Sequence, residues 1–595
     1  MTMKLMITLV GVGVASLALV APVSAEPEAI ALPEASLTLA TEGISTAATD
    51  LVPEDRETRA AGASIAQVAE DGSGLRIQVT GEGLSPEQLR FESPNQQLIL
   101  DRDAIERFQF PMIGDVLRQQ PSVTFGGPFD ENRDIRLRGL PNGFTQVLID
   151  GQRLSPDRND RQVPLNTIPT NLIESVEIIR TPTAAQDASG IGGTVNLVLR
   201  SPQERVGQIN VGGSTLESRG PYGNLEFLYG DRDGNLSFLL NGAIGSRGSV
   251  KFKDRQDRDA DGVLTQTDVE DDIKDFFDYS FSPRLEWQVS PQDTLHFEGL
   301  LLATEEYRDV ERNITQFTFR NNGTLQRQRE RIRLNDENSR VLNWRVGTRW
   351  QRELGADSTL EVGLLVQGLD STTNKEEREV RTDTNFNNAG VGTVGTPQES
   401  RTEQRDSTTE TDWIASARLD WQVSDQHRLT LGVNGSFRDR NADRIQNDEP
   451  VPNNIFGIDE TQINAFIQDE WTLAPNHTLL AGVRLEQVYT TAIASDDRSG
   501  SQSNTQINPS LSYRFQATPN TVLRAGVART VARPSFGDLV PFAHLVGVIW
   551  ASPTRWATPT CAPKPPGALT LASSNKSPTA LACWASTVFG APSTT

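Results

Sequence analysis

The sequence predicts a mainly β protein, an antiparallel transmembrane β-barrel preceded by a small α+β segment. Three observations predict it. A strand–turn–strand unit repeats from residue 206 to about residue 540. Aromatic side chains stand at one distance before alternate turns. The connections are short at one end of the strands and long and charged at the other.

The repeat is plainest in five copies. They are Leu285-Glu-Trp-Gln-Val-Ser-Pro-Gln-Asp-Thr-Leu-His-Phe, Arg349-Trp-Gln-Arg-Glu-Leu-Gly-Ala-Asp-Ser-Thr-Leu, Leu419-Asp-Trp-Gln-Val-Ser-Asp-Gln-His-Arg-Leu, Glu470-Trp-Thr-Leu-Ala-Pro-Asn-His-Thr-Leu and Tyr513-Arg-Phe-Gln-Ala-Thr-Pro-Asn-Thr-Val-Leu. Each runs from an aromatic through a short turn into strict alternation, and a period of two puts alternate side chains on opposite faces of a strand. One face collects Leu295, Phe297 and Leu301; Leu360, Val362 and Leu364; Leu429, Leu431 and Val433; Leu523, Ala525 and Val527. The other collects Glu298, Glu361, Asn434, Arg484, Glu486 and Arg524.

A soluble sandwich alternates too, so the other two observations decide. Trp287, Trp350, Trp421, Trp471 and Phe515 all sit two to four residues before a turn. That sets them at one height, where such rings favour the lipid–water boundary. The connections at about 250–277, 305–338, 371–408 and 440–460 are long and charged, as extracellular loops of outer-membrane barrels are, while the periplasmic turns are short.

The segments before the barrel follow in order. Lys4, the apolar run Leu5 to Val20 and the small-x-small site Val23-Ser24-Ala25 predict an export signal over 1–25. Residues 26–74, rich in Ala, Glu, Thr and Ser, predict a flexible periplasmic leader. Residues 82–202 carry short β-rich runs punctuated by Gly, Pro and Asp, and the strands then occupy 203–542.

The charge of −22 argues against a nucleic-acid partner. Cys561 and Cys583 both lie in the tail, and His296, His427, His477 and His544 are scattered without metal or catalytic spacing. No nucleophile motif, P-loop or dinucleotide fingerprint occurs, so the expectation is a non-enzymatic protein.

Residues 105–200 resemble the plug domain of TonB-dependent outer-membrane receptors, on motifs that run in family order. These are Ile113-Gly-Asp-Val-Leu-Arg-Gln-Gln-Pro-Ser-Val, Ile135-Arg-Leu-Arg-Gly-Leu, Gln146-Val-Leu-Ile-Asp-Gly-Gln-Arg-Leu, Pro164-Leu-Asn-Thr-Ile-Pro, Ile173-Glu-Ser-Val-Glu-Ile-Ile-Arg and Asp187-Ala-Ser-Gly-Ile-Gly-Gly-Thr-Val-Asn. The first is read as a helix and turn, and the second and third as strands joined by a tight turn. The resemblance covers about 75–540 and implies a plug inside a barrel of roughly 22 strands, of which about thirteen are recognisable.

It implies active import of a scarce, bulky nutrient, most often a ferric siderophore, by a monomer in the outer membrane. The partner implied is TonB with its inner-membrane energising complex. Thr181-Pro-Thr-Ala and Asp187-Ala stand where many siderophore receptors have Gly-Pro and Tyr-Gly, which weakens transfer of that substrate. The other classes to weigh are a binding or signalling receptor without transport, and a non-functional receptor fragment.

The residues implied are specific. Leu75, Arg76, Ile77, Gln78, Val79, Thr80 and Gly81 resemble the TonB box, which pairs edge-to-edge with a strand of TonB. Arg136 and Arg138 are expected to face acidic wall residues, with Glu174 and Glu177 in analogous ion pairs. Gly139, Gly151, Gly190, Gly192 and Gly193 fall at strand ends and turns beside Asp150 and Asn196. Phe129, Arg158 and Arg161 are candidate ligand contacts at the plug apex.

No cofactor is required; iron would enter only as part of a ligand. Asp257, Asp259 and Asp261, with Gly262 and Asp268, have the spacing of a calcium loop without flanking helices. From about Ala543 the alternation fails, and residues 543–595 are rich in Ala, Pro, Thr and Ser. The sequence therefore reads as a C-terminally incomplete barrel, with a frameshift near Phe542 as the expected cause.

Overall fold

A computed structural model describes residues 86–539, except 127–131, 142, 158–160, 203–204, 217–218, 452–454 and 496–497, and the backbone of 582–590. The export signal, the leader, the TonB box, Phe129, Arg158 and all but one strand of the tail lie outside these residues.

The N-terminal part is a small α+β unit. It contains α1 (Pro86–Glu92), β1 (Gln97–Leu100), α2 (Arg102–Glu106), α3 (Ile113–Arg118), β2 (Val123–Gly126), β3 (Asp134–Leu137), β4 (Thr145–Ile149), β5 (Ile173–Ile179) and β6 (Gly193–Leu199). A four-stranded sheet has the order β1-β5-β6-β4, and β2 and β3 form a separate ribbon. The early helix stands where the sequence places it. The expected β3–β4 hairpin does not form: β3 pairs with β2, whereas β4 runs parallel to β6 in the register Thr145↔Gly193 to Ile149↔Leu197. Both β4 and β6 are buried throughout, so β4 lies against β6 inside the unit rather than in a hairpin with its sequence neighbour, as strands of parallel pairs covered on both faces do.

Asp101 starts α2 by accepting the Ala104 amide at 2.8 Å. The core of the unit collects Ile113, Val116 and Leu117 from α3, Ile149 from β4, Ile173 and Val176 from β5, and Val195 and Leu197 from β6. Burying each such side chain contributes about 1.5–3 kcal/mol. Leu300 and Leu302 of the barrel wall belong to the same cluster, so the core of this unit is completed by the wall.

The wall is one antiparallel sheet. Its strands are β7 (Val206–Leu216), β8 (Arg219–Asp233), β9 (Leu236–Arg258), β10 (Leu264–Gln288), β11 (Asp293–Phe319), β12 (Leu325–Glu353) and β13 (Ser358–Phe386), then β15 (Gln398–Ser424), β16 (His427–Gln446) and β18 (Phe456–Ala474). It ends with β19 (His477–Ala494), β20 (Ser499–Thr518), β21 (Thr521–Val531) and β22 (Ala582–Gly590). Two short ribbons, β14 (Gly392–Val394) and β17 (Glu449–Pro450), extend β13 and β16. A single turn of helix, α4 (Phe536–Leu539), follows β21. The main path runs in sequence order from β7 to β22, and among the described residues no pairing joins those two ends.

The wall has the polarity of a membrane barrel. Val346, Val433 and Leu364 are more than half exposed on the outer face, while Arg345 and Gln367, one position from an outward residue, are 2% and 1% exposed. Outside is apolar and inside is polar, the reverse of a soluble sandwich. The turn-side aromatics form a row in register: Trp287 and Trp350 both pair with Leu295, His427 pairs with Trp471 and His477 with Phe515. His427 stacks on Trp471 at 5.2 Å and His477 on Phe515 at 4.5 Å, which adds two histidines to that row. A second row of exposed aromatics, Tyr279, Tyr307, Trp413, Phe437 and Tyr489, closes the apolar band at its other edge.

The long charged connections are not loops. They are the upper halves of β9 to β16, paired strand to strand up to narrow turns such as the one between Phe319 and Leu325. Cross-strand charge explains this. Asp268, Glu270 and Asp272 of β10 lie between Lys251, Lys253 and Arg255 of β9 and Arg308 and Arg312 of β11. Opposite charges directly across a ladder support it.

Candidate functional site

The plug is held to the wall by a polar interface built outward from one turn. Asp150 and Gly151 both have positive φ, at 49° and 74°, and turn the chain at the end of β4. The Leu199 amide donates to Asp150 Oδ1 at 3.0 Å, and the other carboxylate oxygen pairs with the Arg284 guanidinium of β10. The Gly151 amide donates to Asn196 Oδ1 at 2.8 Å, and Asn196 Nδ2 donates to Glu177 Oε2 at 2.9 Å. Asp150, Gly151, Asn196 and Glu177 are therefore one chain of contacts, which the motif spacing alone does not show. Gly193 has φ 130°, and a Cβ there would lie 2.8 Å from the Ile179 carbonyl oxygen, so only glycine fits.

The expected polarity of the interface is corrected. Among the described residues Arg136 has no acidic wall partner and lies against Gly126, while Arg138 donates to the Arg180 carbonyl at 2.9 Å, within the plug. Glu174 pairs with Arg200 at 3.6 Å and Glu177 with Asn196, again within the plug. It is the wall that supplies most of the cations. Arg345 Nη1 donates to the Ile149 carbonyl at 3.0 Å, and Arg440 Nη1 to the Pro156 carbonyl at 3.0 Å. Arg514 and Arg524 each donate to the Phe91 carbonyl at 2.8 Å. A guanidinium has five donors and no acceptor, so it suits turns that present bare carbonyls.

Besides Asp150, two further plug residues reach wall-side charges. Arg161, with φ 61°, pairs with Glu460 of β18 at 2.7 Å, donates to the Pro534 carbonyl at 2.7 Å and lies 4.0 Å from the Phe536 ring centre. Its side chain is thus engaged in the interface. Asp187 lies 3.6 Å from both Arg153 and Arg533. Burial alone would raise its carboxyl, but the guanidiniums of Arg153, then Arg533 and Arg484, outweigh burial and hold it well below the usual carboxylate range. The inward face read from the alternation is used here as well: Glu486 accepts the Ala188 amide at 3.3 Å and pairs with Arg533 at 3.2 Å.

The calcium-loop carboxylates are not brought together. Asp259 Oδ1 accepts the amides of Asp261 and Val263 at 3.0 and 2.9 Å and so closes its own turn. Asp257 accepts from Gln266, while Asp268 faces inward in β10 and is taken by Arg312. Among the described residues no group of three His, Cys, Asp or Glu side chains has metal-binding geometry.

Above the plug lies a cavity of about 380 Å³, between Asp157, Asn166 and Thr167 of the plug and the inner faces of β10 to β16. Its wall includes Phe276, Ser339, Ser371, Thr373 and Thr408. This vestibule can hold a small hydrogen-bonding ligand. None of Arg161, Asp150 or Gly151 lines it. Asn166 does line it, a role that its place within the Pro164-Leu-Asn-Thr-Ile-Pro motif does not mark in the sequence.

Two family models match the chain, the TonB-dependent receptor plug domain over residues 90–194 and the TonB-dependent receptor-like β-barrel over 304–556. The iron-regulated outer membrane virulence protein of Vibrio cholerae is 22% identical over 481 residues, 78% of this chain and 60% of the relative. The ferric enterobactin receptor PirA of Pseudomonas aeruginosa is 25% identical over 236 residues, 36% of this chain and 31% of that one. The ferric citrate transporter FecA, unliganded, aligns with a TM-score of 0.38 at 14% identity, covering 74% of this chain and 78% of FecA. The chain thus spans about 60% of the length of the first curated relatives it matches.

Proposed function

The chain belongs to the TonB-dependent receptors of the outer membrane, a family of receptors and transporters rather than enzymes, and from that premise we propose that it imports a ferric siderophore. The ligand is captured in the vestibule and released inward when TonB pulls on the plug. The observation that carries this is the polar part of the plug–wall interface, where ion pairs and guanidinium–carbonyl contacts (Asp150–Arg284, Arg161–Glu460, Arg345–Ile149) accompany the apolar contact made by Leu300 and Leu302. Water that follows a moving plug can replace such contacts, whereas an apolar seam has no such exchange partner.

An outer membrane has neither ATP nor an ion gradient of its own, so the pull has to come from the inner membrane through strand addition at residues 75–81. Ile77→Pro deletes a ladder donor from that segment. It is expected to abolish uptake of radiolabelled ferric siderophore and to leave binding to whole cells unchanged. Uptake at the wild-type rate in cells making the variant would sink the TonB-box assignment. Equal growth on defined iron sources with and without TonB would favour a receptor that binds without transporting.

A further inference from the structure

We infer that the vestibule selects an uncharged ferric chelate whose surface offers N–H or O–H donors, of the cyclic-peptide tris-hydroxamate kind, over an anionic tris-catecholate. The inference rests on the ferric-siderophore reading above and concerns the same cavity.

The first observation is charge. The cavity is lined by Arg133, Lys274, Arg308 and Arg444. Among the described residues each of these cations is already bound to a carboxylate. Arg133 pairs with Asp157, and Lys274 with Glu306 at 3.2 Å. Arg308 makes a two-pronged contact with Asp272 at 2.8 and 2.9 Å, and Arg444 Nη2 donates to Asp406 at 3.0 Å. An anionic chelate would have to compete with a carboxylate for every one of them, and each displaced carboxylate would remain beside it as a like charge. Ferric ion with three hydroxamates is neutral, because each hydroxamate carries a single negative charge. With three catecholates it is a trianion.

The second observation is hydrogen bonding. Asn166 lines the cavity at only 3% exposure, and among the described residues its Oδ1 has no hydrogen-bond partner. Among the described residues Asp157 Oδ1 also lacks one, while the other oxygen of that carboxylate meets Arg133. Buried polar atoms are ordinarily satisfied. Both unsatisfied atoms are acceptors shielded by their surroundings, so a ligand group that meets them as the two lining side chains turn toward the cavity is a donor, a peptide N–H or a hydroxyl. Ser339 and Thr373, 2.8 Å apart across β12 and β13, add hydroxyls that can either donate or accept.

The test uses the full chain folded in detergent, with heat-modifiable migration as proof of folding. Quenching of its tryptophan fluorescence is titrated with ferrichrome, a neutral cyclic-peptide tris-hydroxamate, and with ferric enterobactin, a tris-catecholate. Ferrichrome is expected to bind about tenfold more tightly or better, and Asn166→Ala to weaken it about tenfold, the loss of one buried hydrogen bond. Asp406→Asn, which leaves Arg444 unneutralised, is expected to tighten ferric enterobactin by about fivefold or more without changing ferrichrome. Tighter binding of ferric enterobactin by the wild type, or an equal effect of Asp406→Asn on both chelates, would overturn the proposal while leaving ferric-chelate import standing. Saturable quenching by neither chelate, in folded protein, would overturn the import reading itself.

Discussion

The lower and upper halves of the same strands obey different rules. In the lower half of β10 to β13 the outer face is apolar, from Trp287 to Tyr279 and from Val362 to Val366, and the inner face meets the plug through Arg284, Arg345 and Gln367. In the upper half the inner face carries opposed strips of charge, and the outer face mixes Ile332 and Leu334 with Asp336 and Arg340. Backbone pairing continues through both without a break. The solvent on the outside changes and the ladder does not. A spanning strand needs only about 9–11 residues, so the rest of a 29-residue strand such as β12 projects beyond the apolar band.

Breaking the lower half from inside should have the largest effect. Arg284→Met leaves the Asp150 carboxylate in the plug–wall interface without its cation, at a cost of about 3–5 kcal/mol. Hydrogen exchange of the β4 and β6 amides is expected to accelerate by about 100-fold or more. Protection equal to the wild type would show that the pair does not seat the plug. The outer face comes next. Leu364→Arg puts a charge in the apolar band and is expected to cost about 2–4 kcal/mol. Leu334→Arg, on the same sheet but in the upper half, is expected to stay within about 0.5 kcal/mol. Urea unfolding of the two variants in lipid would measure the difference, and equal losses would erase the distinction between the halves.

This split also explains what was legible in the sequence. The lower half announced itself because Trp287, Trp421 and Trp471 stand beside tight turns and the alternation is apolar against polar. The upper halves read as loops because the alternation there is charge against charge, and the partners are far apart in the chain: Asp268 and Arg312 are separated by 44 residues. The second aromatic row escaped for a related reason, since Trp413 and Tyr489 have no adjacent turn to mark them. In the plug, Asp150, Gly151 and Asn196 were found by motif, but their mutual contact is a tertiary fact. The wall arginines could not be matched to partners at all, because the acceptors at Ile149 and Pro156 are backbone carbonyls, which carry no sequence signature. For β3 and β4, proximity suggested a hairpin, and burial on both faces overrode it.

The smallest effect sharpens the comparison most. Arg329 Nε donates to Asp383 Oδ1 at 2.7 Å near the top of β12 and β13, where water reaches both side chains. Hydrogen bonds from Arg329 and then Arg381 hold the Asp383 carboxyl well below its usual range, against a smaller opposing effect of burial. A lowered carboxyl contributes its stabilisation above its unfolded pKa and loses it only as the pH falls through the folded value, so acidification from pH 7 to 5 should leave the pair intact. Arg329→Ala is expected to cost no more than about 1 kcal/mol at low salt, as exposed pairs do, and less at high salt, where the Debye length falls to about 3 Å. Arg284→Met should show little of that salt dependence, because its partner is shielded from solvent by the plug. Unfolding midpoints of the two variants at low and high salt would separate them. A matching salt dependence would mean that water penetrates the plug–wall seam as freely as it bathes the upper ribbons.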